Sequence, residues 1–171
     1  KVRHVASSNV TPDGIRAAAA AAKEMNIAGF AASQEEYSLL FRGFETTLFP
    51  ALAKLGLGLV PLFPLGGGAL TGKYRKHASL PEGSRHTGGS ERFLDPHWDT
   101  IEALHAFAEK RGRTILELAM SWLAARPGVA SIIAGATRPE QVEANAKSVG
   151  WKISADEMAE VDRITAPKAA A

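Results

Sequence analysis

At 171 residues, 46% hydrophobic and 22% charged, the chain is long enough to bury a core and too ordinary in composition for a disordered or fibrous protein, so one folded domain over residues 1–171 is expected. A formal net charge of +2 is no footprint for nucleic acid, and the lack of cysteine excludes disulfides and thiolate metal sites. No run approaches the roughly 18 apolar residues of a membrane span, and the sequence opens at Lys1 in strand-like residues rather than a leader, which points to a cytoplasmic protein or a fragment of one.

Residues 2–8 (VRHVASS) read as a first strand. Thr11 is a good N-cap and Pro12 suits the first turn of a helix running to about Met25, with the alanine run 17–22 adding helix propensity. Phe30 to Ser33 forms a short second strand ending in Gln34, Glu35 and Glu36. The two adjacent glutamates point apart and make no acid/base couple. A second helix is expected from about Gly43 to Leu55, with Phe44, Leu48, Leu52 and Leu55 along one face.

Residues 57–74 (LGLVPLFPLGGGALTGKY) organise the chain. Leu57, Leu59, Val60, Leu62 and Phe63 form the near-continuous apolar run of a parallel strand covered on both faces. Gly66, Gly67 and Gly68 then allow left-handed backbone that brings N–H groups close to a ligand, and Lys73 adds a cation beyond them, so the stretch reads as a strand feeding an anion-binding loop. A triphosphate-binding loop is the minor alternative, because GGALTGKY has Tyr74 where a Ser or Thr should hold Mg²⁺ and no helical pattern follows.

The polar segment 75–97 is longer than an ordinary connection. Helical periodicity resumes over residues 98–111, and Thr114 with Glu117 forms a capping box for a helix that Arg126, Pro127 and Gly128 end. Residues 129–135 (VASIIAG) read as a fourth strand, Thr137 with Glu140 as a capping box for a helix to about Lys147, and Ser154 with Glu157 as the cap of a last helix, 154–165. Four βα units imply a parallel sheet with helical cover.

Sites of such folds gather at the C-terminal ends of strands. Ser8, Asn9 and Gln34 stand at the first two ends as neutral groups suited to an amide. Leu62, Phe63, Pro64, Leu65, Gly66, Gly68 and Lys73 follow the third, and Gly135, Thr137 and Arg138 follow the fourth, where a helix N-terminus and a guanidinium together suit phosphate. His4, His77, His86, His97 and His105 show no metal-ligand spacing, and Trp98, Trp122 and Trp151 read as packing residues.

These motifs, in this order, resemble the C-terminal half of an aldo-keto reductase, an NADPH-dependent family built on an eight-stranded (β/α) barrel. KVRHVASSNV is similar to the family's fifth strand, SQEEYSLL to its sixth, VPLFPLGGGALTGKY to its seventh, and PGVASIIAGATRPEQVEAN to its eighth with the following helix. The resemblance implies a half-barrel of four parallel strands, with Ser8, Asn9 and Gln34 on the nicotinamide carboxamide and Leu62 to Lys73 along the cofactor and its pyrophosphate. Arg138, Gln141 and Asn145 would surround the 2′-phosphate and adenine of NADP(H). Leu62 departs from the family, which has an aromatic residue stacking on the nicotinamide at that place, and Phe63 is the nearest substitute. The family's catalytic Tyr, Lys, Asp and His belong to the other half, so no catalytic residue is assigned here, and Tyr37 and Tyr74 fall where the family has structural tyrosines. The expectation is a carbonyl-reducing, NADPH-binding half that pairs with a second copy or with an N-terminal half-barrel. A nucleotide-binding or self-associating half without chemistry is the alternative.

Overall fold

The computed structural model describes residues 1–82 and 93–166. Strands β1 (Ala6–Ser8), β2 (Ala32–Glu36) and β3 (Gly58–Leu62) form a parallel sheet in the order β1-β2-β3. Ser8 pairs with Gln34, and Gln34 with Val60, so these three share one face of the sheet, while their neighbours along each strand turn to the other. Ser7, Ser33, Glu35, Leu59 and Pro61 lie on the face that is buried, while Gln34, Glu36, Val60 and Leu62 lie on the other, which is only half-buried. Helices α1 (Pro12–Glu24) and α2 (Leu48–Leu55) carry the chain from β1 to β2 and from β2 to β3.

The expected fourth strand does not form, and among the described residues the sheet has three strands where four are expected from the sequence. Residues 129–135 meet β3 through a single parallel bridge, Val129 to Leu59, made by Leu59 N–H to Gly128 O and Ala130 N–H to Leu59 O, both 2.8 Å. Alternate residues of β3 bond to opposite sides, Gly58 to β2 and Leu59 to this segment. The next donor on the segment's side would be residue 61, a proline with no N–H, so the ladder loses its second rung. The first strand is also shorter than residues 2–8, because β2 begins only at Ala32 and offers residues 2–4 no ladder.

Local capping sets the helices. Thr11 Oγ1 accepts the Gly14 N–H at 3.0 Å, as its sequence position implies. α2 starts at Leu48 rather than near Gly43, since Pro50 has no N–H and is tolerated only in a first turn. The segment 75–97 falls partly outside the described residues; its end, Asp95–His97, is one 3₁₀ turn leading into α3 (Trp98–Glu109). α4 (Ile115–Ala124) and the last helix, α6 (Ala155–Ile164), both carry the expected capping boxes. α5 (Pro139–Lys147) does not: Arg138 is its N-cap without a side-chain bond, and Gln141 Oε1, not Glu140, accepts the Thr137 N–H at 2.7 Å.

The core centres on α4. Trp122 is fully buried, with the Arg42 and Arg126 guanidinium carbons 5.3 and 4.2 Å from its ring centre. Both arginines bond Asp162 Oδ1, at 2.8 and 2.6 Å, which clasps α6 onto α4 and the turn around Arg42. Truncating Trp122 to alanine would remove this centre at a cost of about 3–5 kcal/mol.

Candidate functional site

At the ends of β1 and β2 the sequence-expected residues come together. Asn9 takes a left-handed conformation (φ 54°), which asparagine tolerates better than most residues, and this turns the chain out of the sheet toward α1. Its N–H still reaches Gln34 O at 3.2 Å. Asn9 Nδ2 donates to Ser8 Oγ at 3.2 Å, and Ser8 Oγ donates to Gln34 Oε1 at 3.0 Å. The chain of bonds commits the Ser8 hydroxyl and Gln34 Oε1. It leaves Asn9 Oδ1 as an acceptor and Gln34 Nε2 as a donor without partners among the described residues. One acceptor beside one donor complements a primary carboxamide.

The glycine loop after β3 is a 3₁₀ segment, Gly66–Thr71, with left-handed φ at Gly66 (53°), Gly67 (63°) and Gly68 (104°). Neighbouring side chains account for the first two: a Cβ on Gly66 would lie 2.9 Å from Leu40 Cδ1, and one on Gly67 2.5 Å from Phe93 Cδ2. Gly68 differs, its Cβ direction opening toward the Lys73 ammonium 3.9 Å away. Lys73 is exposed and makes no ion pair among the described residues, whereas its neighbours Arg75 and Lys76 are bound to Glu102, Glu109 and Asp99. Pro64 and Leu65 are buried. Phe63 is itself left-handed (φ 52°), and its ring packs against Phe93 at 5.4 Å. Leu62, where the family has an aromatic residue, lies on the half-buried sheet face.

The fourth strand end is held loosely. Gln141 and Asn145, four residues apart, share one face of α5, and Arg138 precedes them as its N-cap. α5 buries none of its residues, and Val142 and Val149 are 58% and 44% exposed. Between α5, α4 and residues 129–134 lies an open cavity of about 470 Å³, lined by Met120, Ile132, Val142, Asn145 and Val149 among others. Gly135, Thr137 and Arg138 are exposed, and Arg138 makes no ion pair among the described residues.

Comparison with known proteins agrees with the geometry. The model of the Aldo/keto reductase family matches residues 1–166. The chain belongs to this family. It is 35% identical over 136 residues to a probable voltage-gated potassium channel subunit beta of Arabidopsis thaliana, covering 75% of this chain and 41% of that protein. It is 33% identical over 140 residues to the L-glyceraldehyde 3-phosphate reductase of Escherichia coli O157:H7, covering 76% of this chain and 40% of that protein. Protein tas of Escherichia coli K12 is 31% identical over 167 residues, 96% of this chain and 48% of its own length. The chain thus spans under half the length of these relatives.

Both tyrosines of this aldo/keto reductase chain are buried. Tyr37 is 1% exposed and donates to Glu45 Oε1 at 2.6 Å; burial and that hydrogen bond raise its pKa above the ordinary phenol range. Tyr74 is equally buried, under the Lys73 ammonium at 4.9 Å. His105, 6% exposed, faces Gly72, and burial, then Arg75, lower its pKa. Sequence reasoning missed two structural contributors. Phe93 roofs Gly67 from a stretch read as loop, where no periodicity marked it. Glu35 lies on the buried side of β2, a placement readable only once the strand's bounds, Ala32–Glu36, are known. No helix among the described residues is long and apolar enough to cross a membrane.

Proposed function

We propose that this chain is the NADP(H)-binding part of a cytoplasmic oxidoreductase that reduces small carbonyl compounds. The observation that carries the reading is the bonded Ser8–Asn9–Gln34 set at one strand end, with an unspent acceptor and donor, beside two further strand ends whose cations, Lys73 and Arg138, have no ion pair among the described residues. In this reading Ser8, Asn9 and Gln34 orient the carboxamide. Leu62 borders the nicotinamide, and Gly66, Gly68 and Lys73 receive the pyrophosphate. Arg138, Gln141 and Asn145 take the 2′-phosphate and adenine. The bound cofactor supplies hydride to the carbonyl carbon. The proton donor is assigned to the part of the barrel beyond this half, so the chain by itself is expected to reduce aldehydes slowly or not at all.

The half-buried sheet face, with Gln34, Glu36, Val60 and Leu62 on it, supports a packing partner there, either an N-terminal half-barrel or a second copy of the chain. A nucleotide-binding half that never meets a proton donor is the alternative. Calorimetry with NADPH and NADH tests the proposal: NADPH should bind more tightly, and equal binding of both, or binding of neither, contradicts it. Light scattering tests the partner surface, since a lone folded monomer at micromolar concentration excludes self-pairing.

A further inference from the structure

Glu35 is 1% exposed on the helix-covered face of β2, where its neighbours on the paired strand are Leu59 and Pro61. A carboxyl group is a costly occupant of such a place unless hydrogen bonds compensate it. Those bonds converge on one oxygen. Ser7 Oγ donates to Ser33 Oγ at 2.8 Å, Ser33 Oγ donates to Glu35 Oε1 at 2.6 Å, and the Val10 N–H reaches the same Oε1 at 3.3 Å. Oε2 is buried with no partner among the described residues. The group is therefore kept for what Oε1 holds.

What it holds is the turn that aims Asn9. The left-handed Asn9 ends the β1 ladder, with its own N–H on Gln34 O. The next N–H, that of Val10, is received by the Glu35 side chain, at Oε1. Gln34 and Glu35 are adjacent and face opposite sides of β2, so one grips the turn from the open face and the other from the buried face. We infer that Glu35 is a positioning residue for the carboxamide-binding end of the site, acting through Val10 and Asn9 and touching no ligand itself. The inference rests on the cofactor reading above.

Three variants and two ligands separate this role from a general contribution to stability. NADPH carries the carboxamide; adenosine 2′,5′-bisphosphate lacks it and carries the 2′-phosphate and adenine assigned to α5 together with one phosphate of the pyrophosphate. Glu35→Val should weaken NADPH binding about tenfold, the effect of losing one buried hydrogen bond, and leave the bisphosphate within about twofold. Glu35→Gln keeps an acceptor oxygen and should restore NADPH affinity to within about threefold. Equal weakening of both ligands by Glu35→Val, or no weakening of either, overturns the inference. If Glu35→Val does not fold, Ser33→Ala removes the shortest bond to Oε1 while leaving Glu35 in place, and it should show the same selective loss at about threefold; no selectivity there overturns the inference instead. Amide exchange without ligand provides the independent arm: Val10 and Asn9 should exchange faster in Glu35→Val and the α4 amides should not change. Unchanged Val10 and Asn9 rates overturn the positioning role. Failure of the unmutated chain to bind either ligand overturns the cofactor reading instead, while the exchange result still decides whether Glu35 holds the turn.

Discussion

At the β1–β2 edge the side chains of Ser8, Asn9 and Gln34 are joined by hydrogen bonds of 3.0 and 3.2 Å, and Glu35 accepts the Val10 N–H beneath them. At the β3 edge the chain touches Leu59 through one bridge at Val129 and then carries Arg138, Gln141 and Asn145 on a helix with no buried residue. Both regions follow a strand with a turn and a helix, so element order does not separate them. Backbone donors do. β2 offers β1 an unbroken set of partners, whereas Pro61 withdraws the second rung that would have pinned residues 131–135. One edge of the sheet is thus tied down by paired backbone and the other is not.

The largest expected effect comes from the glycine loop that follows β3. Gly67→Ala would force a Cβ to within 2.5 Å of Phe93 Cδ2 at a φ of 63°. Left-handed strain and overpacking together should cost about 2–5 kcal/mol in urea denaturation. A loss below about 0.5 kcal/mol, the range of neutral surface changes, would mean that Phe93 does not roof the loop in solution.

Next in size is a matched pair of glycines along the loose edge. Gly58→Ala puts a Cβ 2.7 Å from Ala130 Cβ and should push the segment off β3, at about 1–3 kcal/mol. Gly135→Ala meets nothing within 4 Å and should stay within about 0.5 kcal/mol. Equal costs at the two positions would erase the distinction between the bridged and the free part of the segment.

Arg138→Ala moves from stability to ligand. Its guanidinium makes no ion pair among the described residues, so the melting temperature should hardly change, while NADPH should lose about 1.5–3 kcal/mol of binding and NADH little. A similar loss for both cofactors would remove the assignment of this residue to the 2′-phosphate.

The smallest effect is a pH dependence beside the glycine loop. Burial, and then Arg75, lower the His105 pKa, with Glu102 and Glu109 opposing, and burial lowers that of His97. The unfolded chain therefore takes up these protons more readily than the folded one. Stability from this source is complete above the ordinary imidazole value of about 6.5 and is lost as pH falls below it toward the lower folded values. Denaturation midpoints between about pH 7.5 and 5 should fall in the unmutated chain and fall less in His105→Gln; a rise on acidification would reverse the sign.

Much of the fold was legible because its signals are local. The caps at Thr11, Thr114 and Ser154 need only residues three places on, and the structure forms all three. The apolar spacing from Phe44 suggests a longer α2, but Pro50 confines its start to Leu48. β2 is shifted from the apolar Phe30–Ser33 to the polar Ala32–Glu36, since its position is fixed by pairing with two strands and not by its own composition. The fourth strand was misread for the converse reason: VASIIAG has the composition of a strand, and the missing donor lies 68 positions before Val129, in Pro61. Of the site, Ser8, Asn9 and Gln34 could be named from the strand ends, but their bonding to one another required the β1–β2 register, and Glu35 required knowing which face of β2 is covered.

Amide hydrogen exchange on the intact chain, with and without NADPH, tests the central contrast most directly. Without ligand, the amides of β2 and those of Asn9 and Val10 should be protected while α5 exchanges early, as expected of a helix with few buried contacts. NADPH should then slow exchange in α5 far more than in β2. Protection of α5 equal to that of β2 before ligand is added, or an α5 that NADPH leaves unchanged, would contradict the account.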